Sequence, residues 1–259
     1  MALFGGSAIA ADLPMKAPPP PPVGFNWTGF YIGGFVGGAT PSSDASATEP
    51  RANAGFFYNG GGLNTSYGLG NSFIGGGTIG YNWQQPGTNF VLGIEGEAGY
   101  LHLNGSRQDI NAFNAGLSLP DSINSTHMGD AYGVIAARLG WTANRALFYV
   151  KGGVAFVERS YSFNDPCTTG GCGGNLLFLS SSNTQVTYAA GVGVEYAFTN
   201  NWSIKGEYLY FGTQNTYTQT GLTGVGVPTA FTNSSSDPGI HTGKIGINYR
   251  FGGPLVARY

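Results

Sequence analysis

Charge is scarce in this chain. Asp, Glu, Lys and Arg make up 9% of its 259 residues, where a soluble domain carries about 25%. A soluble globule of this length would lack the polar coat that must face water. The formal net charge of −2 excludes a broad basic surface for nucleic acid. Long hydrophobic runs are missing too. Beyond the N-terminus no stretch of about 18 apolar residues occurs, which excludes a helical membrane protein, and no 3.6-residue apolar period competes for the segments below. Gly75-Gly76-Gly77 has no Lys-Ser or Lys-Thr behind it and no helix to open, so it is not a phosphate loop. What the chain does have is 45 glycines and 14% aromatics. That aromatic content excludes a disordered polypeptide. Little charge, many Tyr and Phe, abundant Gly and no hydrophobic run leave a β-barrel in a lipid bilayer.

The ends carry signals of their own. Residues 1–10 read as the back half of a secretory signal, with Ala8-Ile9-Ala10 as an A-x-A cleavage site and Ala11-Asp12 as the mature start. The usual basic start is missing, so the expected start codon lies upstream. Residues 11–27 form a linker, and Pro18 to Pro22 stiffen it as polyproline II. At about 3.1 Å per residue it could reach roughly 50 Å. The barrel is expected over residues 28–252, followed by a short tail, 253–259.

Eight segments after residue 28 alternate with a period of two: 29–39, 71–84, 89–103, 131–142, 146–160, 185–198, 202–213 and 240–252. Their connections alternate in length. Residues 85–88, 142–145 and 199–201 are tight turns of suitable composition. Residues 40–70, 104–130, 161–184 and 214–239 are long and rich in Gly, Ser, Asn and Thr, and read as loops. Short turns at one end and long loops at the other predict an all-β, eight-stranded, antiparallel up-and-down transmembrane barrel.

Alternation alone does not separate a soluble barrel from a membrane one; the identity of the faces does. One face of each strand is bulky and uncharged, as in Phe90, Leu92, Ile94 and Tyr100, or Val186, Tyr188, Val192, Val194 and Tyr196. The other is small, Gly-rich and sparsely charged, which suits a narrow lumen. The charges left for that lumen are Glu95, Glu97, Glu195 and Glu207 against Arg138, Lys151, Lys205, Lys244 and Arg250. Their near balance predicts an internal ion-pair network; the alternative is that some stand at the barrel mouths in water. Aromatic pairs bracket the bulky faces: Phe73 and Trp83, Phe90 and Tyr100, Phe148 and Phe156, Tyr188 and Phe198, Trp202 and Tyr210. At about 3.3 Å per residue and a tilt of about 40° these separations span roughly 20–25 Å, near the height of an apolar band between two aromatic girdles. Side chains fill an eight-stranded barrel, whereas an aqueous porin needs about sixteen strands.

Several motifs recur in order along the chain: Ala11-Asp12-Leu13-Pro14, residues 27–33 (WTGFYIG), 75–84 (GGGTIGYNWQ), 193–198 (GVEYAF), 205–210 (KGEYLY) and 244–251 (KIGINYRF). Together they resemble the RopB-like small outer-membrane β-barrel proteins of alphaproteobacteria, the family of the major Brucella surface antigens. The resemblance covers the signal remnant and most strands, and not the long loops. It implies an abundant, mostly structural protein of the Gram-negative outer membrane, linked to envelope integrity and surface display. The implied partners are outer-membrane lipid, lipopolysaccharide and the barrel assembly machinery, and a related branch is associated with haemin. Some such barrels are joined to peptidoglycan through a mature Ala-Asp start, which makes Ala11 a candidate attachment point. Many also finish on an aromatic residue read during assembly. Phe251 fits that role by strand geometry, although residues 252–259 follow and Tyr259 is the other candidate.

Candidate chemistry is thin. Cys167 and Cys172 are the two cysteines; a metal pair would need further ligands, and an exported chain favours a local disulfide. The three histidines, His102, His127 and His241, fall near strand ends or in loops. His127 or His241 with Ser180–Ser182 or Ser234–Ser236 could supply a Ser/His/acid set, but no spacing selects one. His102 or His127 with Tyr100 or Met128 could ligate haem iron, while lone loop histidines are more simply solvated. The reading is therefore a non-enzymatic barrel with no cofactor and no metal, contributing to envelope structure and displaying loops outward, with the termini periplasmic. The alternatives are a narrow porin-like channel and a surface adhesin or haemin-binding protein.

Overall fold

A computed structural model describes residues 25–48, 64–108, 123–165, 177–213, 215–222 and 230–251. Among the described residues, twelve strands form two sheets: β1 (Gly29–Pro41), β2 (Ala45–Thr48), β3 (Asn64–Tyr67), β4 (Ser72–Gln84), β5 (Phe90–Gln108), β6 (Ile123–Ala143), β7 (Ala146–Asp165), β8 (Leu177–Ala197), β9 (Trp202–Phe211), β10 (Thr216–Leu222), β11 (Ala230–Ser236) and β12 (Ile240–Arg250). Eight of them close into an antiparallel barrel in the order β1-β12-β9-β8-β7-β6-β5-β4. Closure sets Tyr31 opposite Arg250 and Pro41 opposite Ile240. Apart from the β1–β12 closure, every barrel neighbour is the next or previous barrel strand along the chain, so the topology is up-and-down.

The short connections turn for local reasons. Asn144 holds φ at +55°, a conformation its short polar side chain tolerates. Gly87 holds φ at +74°, beside a Thr88 N–H donated to the Gln85 carbonyl at 3.1 Å. The Trp202 N–H donates to Thr199 Oγ1 at 2.9 Å. These three turns define one end of the barrel, here the turn end; the opposite end is the loop end.

The loop end differs from the sequence expectation. Residues 104–108, 123–130, 161–165 and 177–184, read as loop from the sequence, are strand, because β5, β6, β7 and β8 run on past the segments assigned to them. Over the central band the outward side chains are apolar, including Phe73, Ile79, Phe90, Ile94, Ile135, Val154, Tyr188 and Ile245. Past it the polarity inverts. Leu103, Met128, Tyr161, Phe163 and Leu179 point inward and are buried, while His102, Asn104, Ser125, His127, Ser160, Ser162 and Ser180 face out along a groove. Polar residues on the visible face made these segments read as loops.

The stretches 40–70 and 214–239 also hold strands. β10, β11, β2 and β3 form a second sheet in that order. Its β3 edge lies beside β5 and its β10 edge beside β8. Arg107 Nη1 donates to the Ser66 carbonyl at 2.8 Å, and the Gly70 N–H to the Asn104 carbonyl at 2.9 Å. The small sheet thus stands between the extended ends of β5 and β8.

The interior is layered. Ala45, Ala47, Tyr67, Leu69, Leu103, Met128, Tyr161, Phe163 and Leu179 belong to an apolar core at the loop end. A charged layer lies beneath it. Trp27, Val91, Leu147, Tyr149 and Ala197 close the turn end, with Phe25 packed on them. Phe25 and Trp27, expected as linker, are therefore part of the barrel: their rings meet edge-on at 5.1 Å, and the Trp27 N–H donates to Gln84 Oε1 at 2.9 Å.

Candidate functional site

The charged layer arises from strand parity. Glu95 and Glu97 on β5, Arg138 on β6, Lys151 on β7, Glu195 on β8, Lys205 and Glu207 on β9, and Lys244 and Arg250 on β12 all point inward. None of the nine is more than 6% exposed, so none stands in open water; eight lie within the lumen and Arg250 at its turn-end mouth. Room for them comes from glycine. A Cβ on Gly193 would lie 2.4 Å from the Tyr149 hydroxyl, and that hydroxyl donates to Glu207 Oε2 at 2.8 Å.

Eight of the nine charges form one network. Lys151 Nζ lies at its centre, 2.6 Å from Glu95 Oε1, 2.9 Å from Glu97 Oε2 and 3.1 Å from Glu207 Oε1. Lys244 Nζ bridges Glu97 at 2.6 Å and Glu207 at 2.8 Å. Arg138 joins Glu95 at 3.2 Å to Glu195 at 3.0 Å, and Lys205 reaches Glu95 at 3.5 Å. Tyr31 and Tyr132 donate their hydroxyls to Glu95 at 2.7 Å and Glu97 at 2.8 Å. Asn248 Nδ2 donates to Glu195 at 2.8 Å. Four carboxylates thus face four cations, which neutralises the layer. Glu95, Glu97 and Glu207 approach one another closely enough to hold a metal ion, but the Lys151 ammonium already lies among them.

Arg250 is the exception. It was expected in this network and stands apart from its carboxylates. Its guanidinium donates to the Asn26 and Asn200 carbonyls and lies 4.3 Å from the Phe25 ring centroid. The reason is position: Arg250 ends β12, so its side chain reaches the turn-end mouth, where the 25–27 segment folds back. Phe251, just beyond, faces outward, meets Tyr249 edge-on at 5.1 Å and donates its N–H to the Phe30 carbonyl at 2.8 Å. Cys167, Cys172 and Ala11 lie outside the described residues.

The loop end carries two further polar clusters. Arg159, buried on the inner face of β7, pairs with Asp237 and reaches Ser235. Burial pushes the Asp237 carboxyl up, against the opposing pull of Arg159. Burial likewise pushes the Tyr67 phenol up to about 12, although Thr126 Oγ1 lies 2.8 Å away. The second cluster faces outward. His102 Nδ1 lies 2.9 Å from Asp130 Oδ1, and His127 Nε2 lies 3.2 Å from Asp130 Oδ2. The hydrogen bond to His102 holds the Asp130 carboxyl below the usual carboxylate range.

The histidines are therefore not lone loop residues. His102 and His127 lie on adjacent strands and line one groove with Ser180 and Ser182. His241 lies elsewhere, with Nδ1 2.6 Å from the Tyr208 hydroxyl. Sequence reasoning passed over Asp130. The spacing His127-x-x-Asp130 was visible, but on a regular strand it puts the two side chains on opposite faces.

A closed eight-stranded barrel, apolar outward over a central band and filled inside, defines the class of small transmembrane β-barrels. Residues 6–251 match the outer membrane protein beta-barrel domain family. The chain is also 34% identical, over 96% of its own length and 96% of theirs, to the 31 kDa outer-membrane immunogenic proteins of Brucella melitensis and Brucella suis. The chain belongs to this outer-membrane β-barrel family. Among solved structures, the outer membrane protein OprG of Pseudomonas aeruginosa superposes with a TM-score of 0.51, at 10% identity, over 88% of this chain and 98% of that one. That likeness concerns the fold.

Proposed function

We propose that this chain is a non-conducting, non-enzymatic structural barrel that supports the outer membrane and displays its loop end outside the cell. The filled lumen carries the reading. A solute would have to cross an apolar core at the loop end, then a layer in which eight charges are already paired, then the Phe25 and Trp27 plug. Barrels of eight strands leave space for side chains and little more. The orientation, loop end outside and termini periplasmic, follows the habit of outer-membrane barrels, whose short turns face the periplasm. In that arrangement Phe251 stands at the periplasmic rim as the assembly signal, and the outward band meets lipid and lipopolysaccharide. A tether from Ala11 to peptidoglycan would add mechanical support.

The test is single-channel recording of the refolded protein in a planar bilayer. A folded but silent barrel is the expected result. Stable conductance steps that change with substitution of Lys151 would replace this reading with that of a narrow channel.

A further inference from the structure

We propose that His102, His127 and Asp130 form a surface binding site for a divalent transition-metal ion of the Zn²⁺ class. The argument begins with strand register. On β5 and β6, Asn104 pairs with His127 and Gly129 with His102. His102 and His127 are therefore diagonal neighbours, and both face out. Their rings lie 4.3 Å apart. Asp130 is three residues from His127, so an unbroken strand would turn it into the lumen.

A bulge turns it out instead. Between Met128, paired with Arg159, and Tyr132, paired with Val157, β6 sets residues 129–131 against Glu158 alone. Gly129 and Asp130 hold φ at +115° and +67°. A Cβ on Gly129 would lie 2.1 Å from the Leu101 carbonyl oxygen, so this backbone requires glycine. Such bulges re-aim side chains. A non-glycine residue at positive φ is uncommon, and one whose carboxylate then meets two imidazoles points to a use.

The donor set selects the ligand. One ring nitrogen of each histidine and an Asp130 oxygen lie within 4.8 Å of one another. Two imidazoles and one carboxylate suit Zn²⁺, Cu²⁺ or Ni²⁺ and not Mg²⁺ or Ca²⁺, which take all-oxygen shells. Three protein ligands leave a fourth position open, and both histidines also line a groove of about 590 Å³ rich in serines. His127 Nε2 is shielded from solvent yet makes no aligned hydrogen bond, although Asp130 Oδ2 is 3.2 Å away. A metal would use that lone pair. His102 Nε2 lies 3.2 Å from the Asn104 amide. With Nδ1 on the metal, Nε2 carries the proton and donates to the amide oxygen after the amide turns over. Asn104 is thus a positioning residue.

The test uses untagged, refolded full-length protein in detergent. Isothermal titration with Zn²⁺ should show one ion per chain, with no heat for Mg²⁺. Co²⁺ on the wild-type protein should give the visible absorption of a tetrahedral or five-coordinate site, abolished by Zn²⁺. Asp130→Asn and His127→Gln should each weaken Zn²⁺ binding by more than about 100-fold, beyond the 10- to 100-fold cost of losing an outer-shell partner. Asn104→Ala should weaken it by about tenfold. A Cys167→Ser, Cys172→Ser double variant should bind like wild type. No stoichiometric binding, binding that survives Asp130→Asn, or binding lost only with the cysteines would each overturn the proposal.

Discussion

Lys151 offers the sharpest test of the lumen. Its ammonium contacts three carboxylates, all within 3.1 Å, and its side chain is shielded from solvent. Lys151→Met keeps most of the volume and removes the charge. Four carboxylates would then face three cations, leaving one buried negative charge unbalanced. Breaking a buried pair by deleting one partner costs about 3–5 kcal/mol. With a urea slope of about 2 kcal/mol per molar, the midpoint should fall by about 2 M. Lys151→Met with Glu97→Gln restores charge balance, so the double variant should be more stable than the sum of the two single losses predicts, by about 2 kcal/mol. Unfolding and refolding curves in detergent must coincide for these numbers to be equilibrium values. A midpoint shift of less than about 0.5 M for Lys151→Met, or strict additivity in the double variant, would refute the reasoning that the network acts as one neutral unit.

Other consequences are equally open to measurement. Gly129→Ala forces a Cβ against the Leu101 carbonyl at positive φ; it should cost about 2–3 kcal/mol, read as a urea midpoint lowered by about 1 M. Gly193→Ala pushes on the Tyr149 phenol and should cost about 1–3 kcal/mol in the same assay; an unchanged midpoint would show that Tyr149 has room to move. Because burial raises the Asp237 carboxyl, its neutral form favours the folded loop end. That contribution is fully present below the ordinary Asp value of about 3.9 and is lost as pH rises through the raised folded value. Protection of the β11 amides, taken relative to their intrinsic exchange rate at each pH, should therefore fall over that window in wild type and stay constant in Asp237→Asn. An epitope inserted between Cys167 and Cys172 should be stained on intact cells, and one in the 85–88 turn only after permeabilisation; the reverse pattern would invert the orientation.

The parts of the fold that were legible in sequence share one cause. Over the central band a strand has lipid-compatible residues on one face and small or charged ones on the other. The alternation of Phe90, Leu92 and Ile94 with Val91, Glu95 and Glu97 therefore fixed both the strand and its sidedness. The same parity placed Lys151, Lys205 and Lys244 inside. It could not show which carboxylate each lysine meets, because that depends on barrel stagger: Lys244 reaches Glu97, 147 residues away in the chain. Arg250 has the right parity, yet height along the axis, which parity does not encode, takes it to Phe25.

The illegible parts have an equally definite origin. Beyond the apolar band the outside of the barrel meets water and polar headgroups, so the rule for its outer face reverses. Leu103, Met128, Tyr161 and Phe163 keep a period of two, now pointing inward. Around them Ser, Asn and His produce the composition of a loop. A reader who holds the outward-apolar rule fixed ends each strand where the rule reverses. β6 adds a second irregularity at that height, since its bulge opposes three residues to one and interrupts the alternation by an even count. The faces on either side stay in phase, which hides the bulge from any test of periodicity, and only Asp130 is misassigned. In this chain the residue that parity puts on the wrong side is also the one that gathers two histidines. That coincidence makes the bulge, and not the charged lumen, the place to look for chemistry on this barrel.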